Sequence, residues 1–161
     1  LVMQNPNQMI SKPMIYDEVA LGLAVRGVPQ EEIKERVNET LKICGLYQMR
    51  NWPVSALSFG QKKRVTIASI LVLNPKVMIL DEPTAALDPI AEAEIYSKFD
   101  EIVGDKTAIY ISHRLSSCRF CDKIAVFDEG RIVQVGTHEE LLENTNGKYY
   151  ELWNAQASYY A

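Results

Sequence analysis

The run Val77-Met78-Ile79-Leu80, stopped at once by Asp81-Glu82-Pro83, constrains the fold of this chain more than any other stretch. A short, unbroken apolar run between Asn74-Pro75 and two carboxylates marks a strand covered on both faces. Such strands belong to parallel sheets flanked by helices. A second buried run, Thr107 to Ile111, follows a helical stretch that opens at Asp88-Pro89 and breaks at Gly104. Asp is a good N-cap and Pro a good first helical residue. Open parallel sheets bind ligands beyond the carboxyl ends of their strands. Asp81, Glu82 and His113, which follows the second run, are therefore expected on one side of the sheet.

Helical signals surround these strands. Ser58 and Gln61 form an S-x-x-Q capping box at the head of a helix that runs through Val65, Ile67, Ala68 and Leu71 and stops before Pro75. Its first turn offers free N–H groups and partial positive charge, and Gly60 admits an anion close to the backbone. Lys62, Lys63 and Arg64 carry the wrong sign for a first turn unless an anion sits nearby. A plain capping box with a solvated basic face explains the same residues equally well. Upstream, Asp17 to Arg26 reads as one helix. A second starts at Pro29, buries Ile33, Val37, Leu41 and Cys44, and closes at Gly45. Downstream, Lys123–Phe127 and Ile132–Val135 flank Asp128-Glu129-Gly130 as a hairpin. Thr137 to Glu140 is another capping box, and Tyr149 to Ala161 an aromatic-rich helix or tail.

Composition excludes some functions. At 161 residues the chain can bury one real core. Its 17 basic and 21 acidic residues give a net charge of −4, with no footprint for nucleic acid or anionic lipid. No apolar run approaches the ~20 residues of a membrane span. Cys118-Arg119-Phe120-Cys121 has C-x-x-C spacing, but no second pair exists to complete a zinc site. These read as two partly buried thiols.

Asp81 and Glu82 repel each other unless a cation or a donor offsets them. Mg²⁺ suits such a site, because it is commonly held by one or two carboxylates plus phosphate oxygens and waters. Asp81 would hold the metal and Glu82 would polarise an attacking water. Yet no phosphate loop of the form G-x-x-x-x-G-K-[ST] occurs in the 161 residues.

In combination these stretches resemble the ATP-binding-cassette (ABC) transporter family. Leu57-Ser58-Phe59-Gly60-Gln61 is similar to its signature motif, Val77–Glu82 to its Walker B strand, and Ala85-Ala86-Leu87-Asp88 to its D-loop. His113 resembles the switch histidine, and Gln4, in Met3-Gln4-Asn5-Pro6, the Q-loop glutamine. The order and gaps of the motifs fit along essentially the whole chain. Phe59 stands where many members have Gly, and Ala85 replaces a common serine.

The resemblance implies a partial P-loop NTPase (RecA-like) α/β fold, with helices on both faces of a parallel sheet and the ABC helical subdomain added. It implies blocks at 1–75 (Q-loop, helical subdomain, signature helix), 76–136 (catalytic core) and 137–161 (C-terminal helices). It further implies ATP and Mg²⁺ as cofactors, with Glu82, His113 and Gln4 catalytic. Asp81 and Gln4 would serve the metal, and Ser58, Gly60, Gln61 and Asp88 the nucleotide of a partner cassette. The implied partners are a second ABC ATPase domain, identical or not, and a transmembrane permease, with no nucleic acid. The implied place is the cytoplasmic face of the cell membrane, reached through the permease. The chain reads as a cassette without its front half, because Leu1-Val2-Met3-Gln4 looks like the end of a buried strand.

Up to about residue 88 the chain is more similar to energy-coupling-factor importer ATPases. From there on, Ile111–Ser116 and Gly136–Leu141 look more like exporter cassettes. Other readings are a soluble cassette ATPase acting on nucleic acid or ribosomes, which the acidic balance disfavours, and a fragment without activity. In the transporter reading, Asn7 to about Arg50 would dock the permease and expose Met9, Ile10 and Met14.

Overall fold

The structure, a computed structural model, describes residues 1–83, 103–104 and 106–157. It contains two compact units, Leu1–Ile111 and Ser112–Ala161.

The first unit contains helices α1 (Ile15–Val25), α2 (Gln30–Ile43) and α3 (Phe59–Leu71), which pack on one another, and strands β1 (Val77–Asp81) and β2 (Thr107–Ile111); buried residues of the helices and of β1 belong to one hydrophobic core. Helix α1 buries Ile15, Val19 and Leu23, one per turn, and α2 buries Ile33, Val37 and Leu41 in the same way. The end of α2 follows the sequence signal. Gly45 takes φ +67° and the Leu46 N–H donates to the Leu41 carbonyl at 2.8 Å, a Schellman closure. Helix α1 can approach the segment leaving α3 because residue 22 is glycine, since a Cβ there would lie 2.9 Å from Leu73 Cδ2.

Strand β1 pairs in parallel with β2, Val77 opposite Thr107 and Asp81 opposite Ile111. On its other side β1 meets Val2, which bridges to Leu80 in parallel. The expected α/β arrangement, parallel strands with helical cover, is present. Among the described residues the cover is nonetheless one-sided. Met78 and Leu80 are buried in the helical core, whereas Val77 and Ile79 are 55% and 37% exposed, with Ile109 and Ile111 exposed beside them. An unbroken apolar run expresses what both faces of a strand favour as surroundings, and among the described residues only one face finds it. Among those residues, too, β2 pairs only with β1.

In the second unit, β3 (Ile124–Asp128) and β4 (Arg131–Gly136) form the expected antiparallel hairpin. Glu129 and Gly130 take φ +47° and +75°, the two positive values of a two-residue type I′ turn. Helices α4 (His138–Glu143) and α5 (Lys148–Ala157) cover one face, burying Ile124, Val126, Leu141 and Tyr149 together with Leu115 and Cys118. Thr137 and Glu140 make both bonds of the capping box on α4. The Tyr149 hydroxyl lies 2.8 Å from His138 Nδ1, and burial pushes its phenol up to about 12. The other face of the hairpin exposes Phe127, Ile132, Val133 and Val135.

The one-sided β1 strand makes a direct prediction. Leu80→Ala should cost about 2–5 kcal/mol in urea unfolding of the chain. Ile79→Thr, one residue away on the bare face, should cost less than about 0.5 kcal/mol and reduce aggregation. Equal costs at the two positions would mean that the bare face is covered.

Candidate functional site

The first unit assembles its candidate site at the carboxyl end of β1. The Val2 N–H donates to the Ile79 carbonyl at 2.8 Å, and the Asp81 N–H donates back to the Val2 carbonyl at 2.9 Å. The N-terminal segment therefore runs alongside β1 in the same direction. Gln4 lies two residues past this bridge, as Glu82 lies two residues past Leu80, so both leave the sheet at the same end. Asp81 is half-buried and the Gln4 side chain exposed.

Glu82 is buried and has left-handed backbone, φ +45°. For a residue with a Cβ this conformation costs on the order of 1–3 kcal/mol and persists only where the surroundings enforce it. Here its N–H donates to the Ile111 carbonyl at 2.9 Å, the last rung between the two strands. The turn re-aims the chain just where two carboxylates meet.

Lys63 is the residue that sequence reasoning missed. It is only 2% exposed, and its ammonium donates to the carbonyls of Gln4 at 2.8 Å, of Asp81 at 3.4 Å and of Met3. Burial lowers its pKa, and the nearby Asp81 and Glu82 charges oppose that shift. The basic run is thus not a uniformly solvated face, since Lys62 reaches out to Asn7 while Lys63 points inward. A signal was present: Gly60, Lys63, Ile67 and Leu71 fall at helical spacing on one buried stripe of α3.

The head of α3 carries the expected box. Ser58 Oγ accepts from the Gln61 N–H at 3.3 Å, and Gln61 Oε1 accepts from the Ser58 N–H at 2.9 Å. This uses a lone pair of the serine and leaves its hydroxyl proton available to an anion. Ser58 is exposed and Gly60 buried. Asp88, with Ala85, Ala86 and Leu87, lies outside the described residues.

In the second unit His113 is exposed and follows β2 by two residues. Its carbonyl accepts from Gln156 Nε2 at 2.5 Å, and Gln156 Oε1 accepts from the Leu115 N–H at 2.9 Å. One α5 side chain thus ties down the backbone on both sides of Arg114. No local pattern could have shown this, because Gln156 lies 43 residues from His113. The cysteines behave as plain thiols: Cys118 is buried, and burial followed by Asp122 pushes the Cys121 thiol up, the opposite of an activated thiolate. In the proposed docking block, Met9, Ile10 and Met14 are half-buried and not exposed, with Met9 and Ile10 leaning on the core.

The donor set at the β1 end, one half-buried carboxylate with a second beside it and an exposed amide, fits Mg²⁺ better than a metal needing several nitrogen or sulfur ligands. Among the described residues no group of three His, Cys, Asp or Glu side chains is placed to hold a metal by itself. None of the helices is long and apolar enough, over those residues, to cross a membrane.

Comparison with known proteins gives the same direction. Residues 1–85 match the ABC transporter family. A protein of Clostridium perfringens (strain 13 / Type A) named as an ABC transporter ATP-binding protein is 57% identical over 151 residues, covering 88% of this chain and 25% of that protein. A protein of Streptococcus agalactiae serotype V with the same description is 53% identical over 146 residues, covering 89% of this chain and 26% of its own length. The chain thus spans about a quarter of these relatives.

Among solved structures, cbiO1 from Clostridium perfringens, part of the ABC transporter complex cbiONQ, superposes with a TM-score of 0.79 at 34% identity, covering 97% of this chain and 66% of that one. A bacterial Atm1-family ABC exporter with ATP bound gives 0.80 at 33% identity, covering 97% of this chain and 28% of that one.

The α3 cap can be tested by itself. Ser58→Ala should destabilise the chain by about 1 kcal/mol, and Ser58→Gly by only a few tenths, roughly, in urea unfolding. Unchanged stability in Ser58→Ala would mean that the side-chain bond to Gln61 contributes nothing.

Proposed function

This chain belongs to the ABC transporter family, and we propose that it supplies the Q-loop, signature and Walker B portion of an ATP-hydrolysing domain that drives transport across a membrane. The observation that carries this reading is the meeting of Gln4, Asp81 and strained, buried Glu82 at the end of β1. In the family such a domain pairs with a second cassette and with a permease. The cbiONQ relative belongs to such a transporter complex, which supports attachment to the cytoplasmic face of a membrane through a partner.

The chemistry assigned to the residues is in-line attack of water on the terminal phosphate of ATP, catalysed by positioning and charge. Glu82 accepts a hydrogen bond from the attacking water and takes its proton. Burial and the left-handed turn hold that carboxylate in one place. Asp81 and the Gln4 amide oxygen would hold Mg²⁺, which when bound neutralises phosphate charge. His113, its backbone held by Gln156, donates a hydrogen bond to the terminal phosphate region. The Ser58 hydroxyl and the first amides of α3, including that of Gly60, face the nucleotide of the partner cassette, and Gln61 keeps the serine oriented. Asp88 is assigned to the same cassette interface from its place in the D-loop.

A phosphate-loop segment completes the site in this reading. Its support is the bare apolar face of β1 and β2 and the greater length of cbiO1, of which this chain matches 66%. The 161-residue chain by itself then binds ATP weakly and turns it over negligibly. Joined behind such a segment it should show Mg²⁺-dependent ATPase activity. In that protein Glu82→Gln should keep ATP affinity and lower kcat by about 10²-fold or more, because the amide keeps the shape and cannot take a proton. Undiminished turnover in the variant would remove Glu82 from its role, and brisk hydrolysis by the bare chain would overturn the need for the added segment.

A further inference from the structure

Lys63 has no assigned part in the chemistry above, yet its charged side chain is almost wholly buried. Lysine is almost never fully buried, and an aliphatic residue of similar length would fill the same space without desolvating a charge. Three features account for its being there. The pairing of the N-terminal segment with β1 is a single bridge, bounded by the Val2–Ile79 and Asp81–Val2 bonds. Beyond it the carbonyls of Met3 and Gln4 have no ladder to join, and unpaired carbonyls are costly where water is excluded. The ammonium of Lys63 donates to both, and its remaining N–H reaches the Asp81 carbonyl, so its three N–H groups meet three acceptors from two separate segments. Its charge also faces the Asp81 and Glu82 carboxylates, whose mutual repulsion otherwise opposes this arrangement.

We propose that Lys63 is a positioning residue for ATP hydrolysis: its ammonium, carried on α3, locks the backbone at Gln4 to the backbone at Asp81 and so sets the glutamine side chain against the Asp81–Glu82 pair. Displacement of α3 therefore moves Gln4 and the strand end together. The proposal rests on the catalytic reading of Gln4, Asp81 and Glu82, and it adds a residue that touches neither nucleotide nor water.

The test compares Lys63→Met, which keeps length and removes the donors, with Lys63→Gln, which restores some of them. In the 161-residue chain, hydrogen exchange is measured at the amides of Val2, Asp81 and Glu82, which donate to the carbonyls of Ile79, Val2 and Ile111, with Val37 and Leu41 in α2 as references. Lys63→Met should raise exchange at the first three by about tenfold or more and leave the α2 amides unchanged. Lys63→Gln should reverse part of the change. In the chain joined to a phosphate-loop segment, Lys63→Met should lower kcat for Mg²⁺-ATP by about tenfold to a hundredfold, with KM within about twofold.

Uniform loss of protection, including α2, would make Lys63 a general stabiliser and overturn the proposal. So would unchanged exchange at Val2 and Asp81, or a fall in kcat that Lys63→Gln does not relieve. Glu82→Gln, assayed in parallel, separates the two claims. If it also leaves turnover intact, the catalytic reading fails and the exchange data still decide whether Lys63 sets the geometry. If Glu82→Gln abolishes turnover and Lys63→Met does not, only the Lys63 proposal fails.

Discussion

Two backbone hydrogen bonds, from Val2 to Ile79 and from Asp81 to Val2, determine what the first unit can do. They hold the N-terminal segment parallel to β1 for a single bridge, which is enough to bring Gln4 to the end of the strand where Asp81 and Glu82 stand. The pairing is short because the segment leaves the sheet after Val2. What an ordinary strand would gain from a longer ladder is replaced by one buried ammonium. The helices have a part in this as well: α3 packs on α1 and shares one core with Met78 and Leu80 of β1, and from α3 Lys63 reaches the carbonyls.

The same unit contains three features that stability alone would not select. Glu82 keeps a left-handed backbone, Lys63 is desolvated, and Val77, Ile79, Ile109 and Ile111 leave one sheet face bare. The first two cluster at the proposed catalytic edge, where strain and buried charge fix side chains that would otherwise move. The third lies elsewhere, on a surface whose apolar content suits contact with more polypeptide. In the second unit the bare face of the β3–β4 hairpin has the same character. The core around Tyr149 meanwhile supports α5 and, through Gln156, the backbone at His113.

Much of this was legible from residue order because the signals are local. The capping boxes at Ser58 and Thr137, the glycine closure at Gly45, and the hairpin around Glu129-Gly130 are settled within a few residues and appear as read. The strand ending in Asp81-Glu82 was equally plain, and the family resemblance placed Gln4 and His113 in the same catalytic account. Features that depend on distant partners were not legible. Lys63 looked like one of three surface cations because its acceptors lie 59 and 60 residues away at Gln4 and Met3. Gln156 stood in an apparent tail. The strand expected to be covered on both sides has one open face, because periodicity states what a face prefers and cannot supply the neighbour. Met9 and Ile10, read as exposed for docking, instead lean on the core.

The central claim is that Gln4 and Glu82 act as one unit at the end of β1, and a double-mutant cycle on ATP turnover tests it most directly. The measurement is kcat for Gln4→Ala, Glu82→Gln and the double variant, in the chain joined to a phosphate-loop segment. If the two side chains serve the same water and phosphate, the double variant should be about as slow as Glu82→Gln alone, within about threefold. Losses that multiply across the cycle would show two independent contributions and contradict the account.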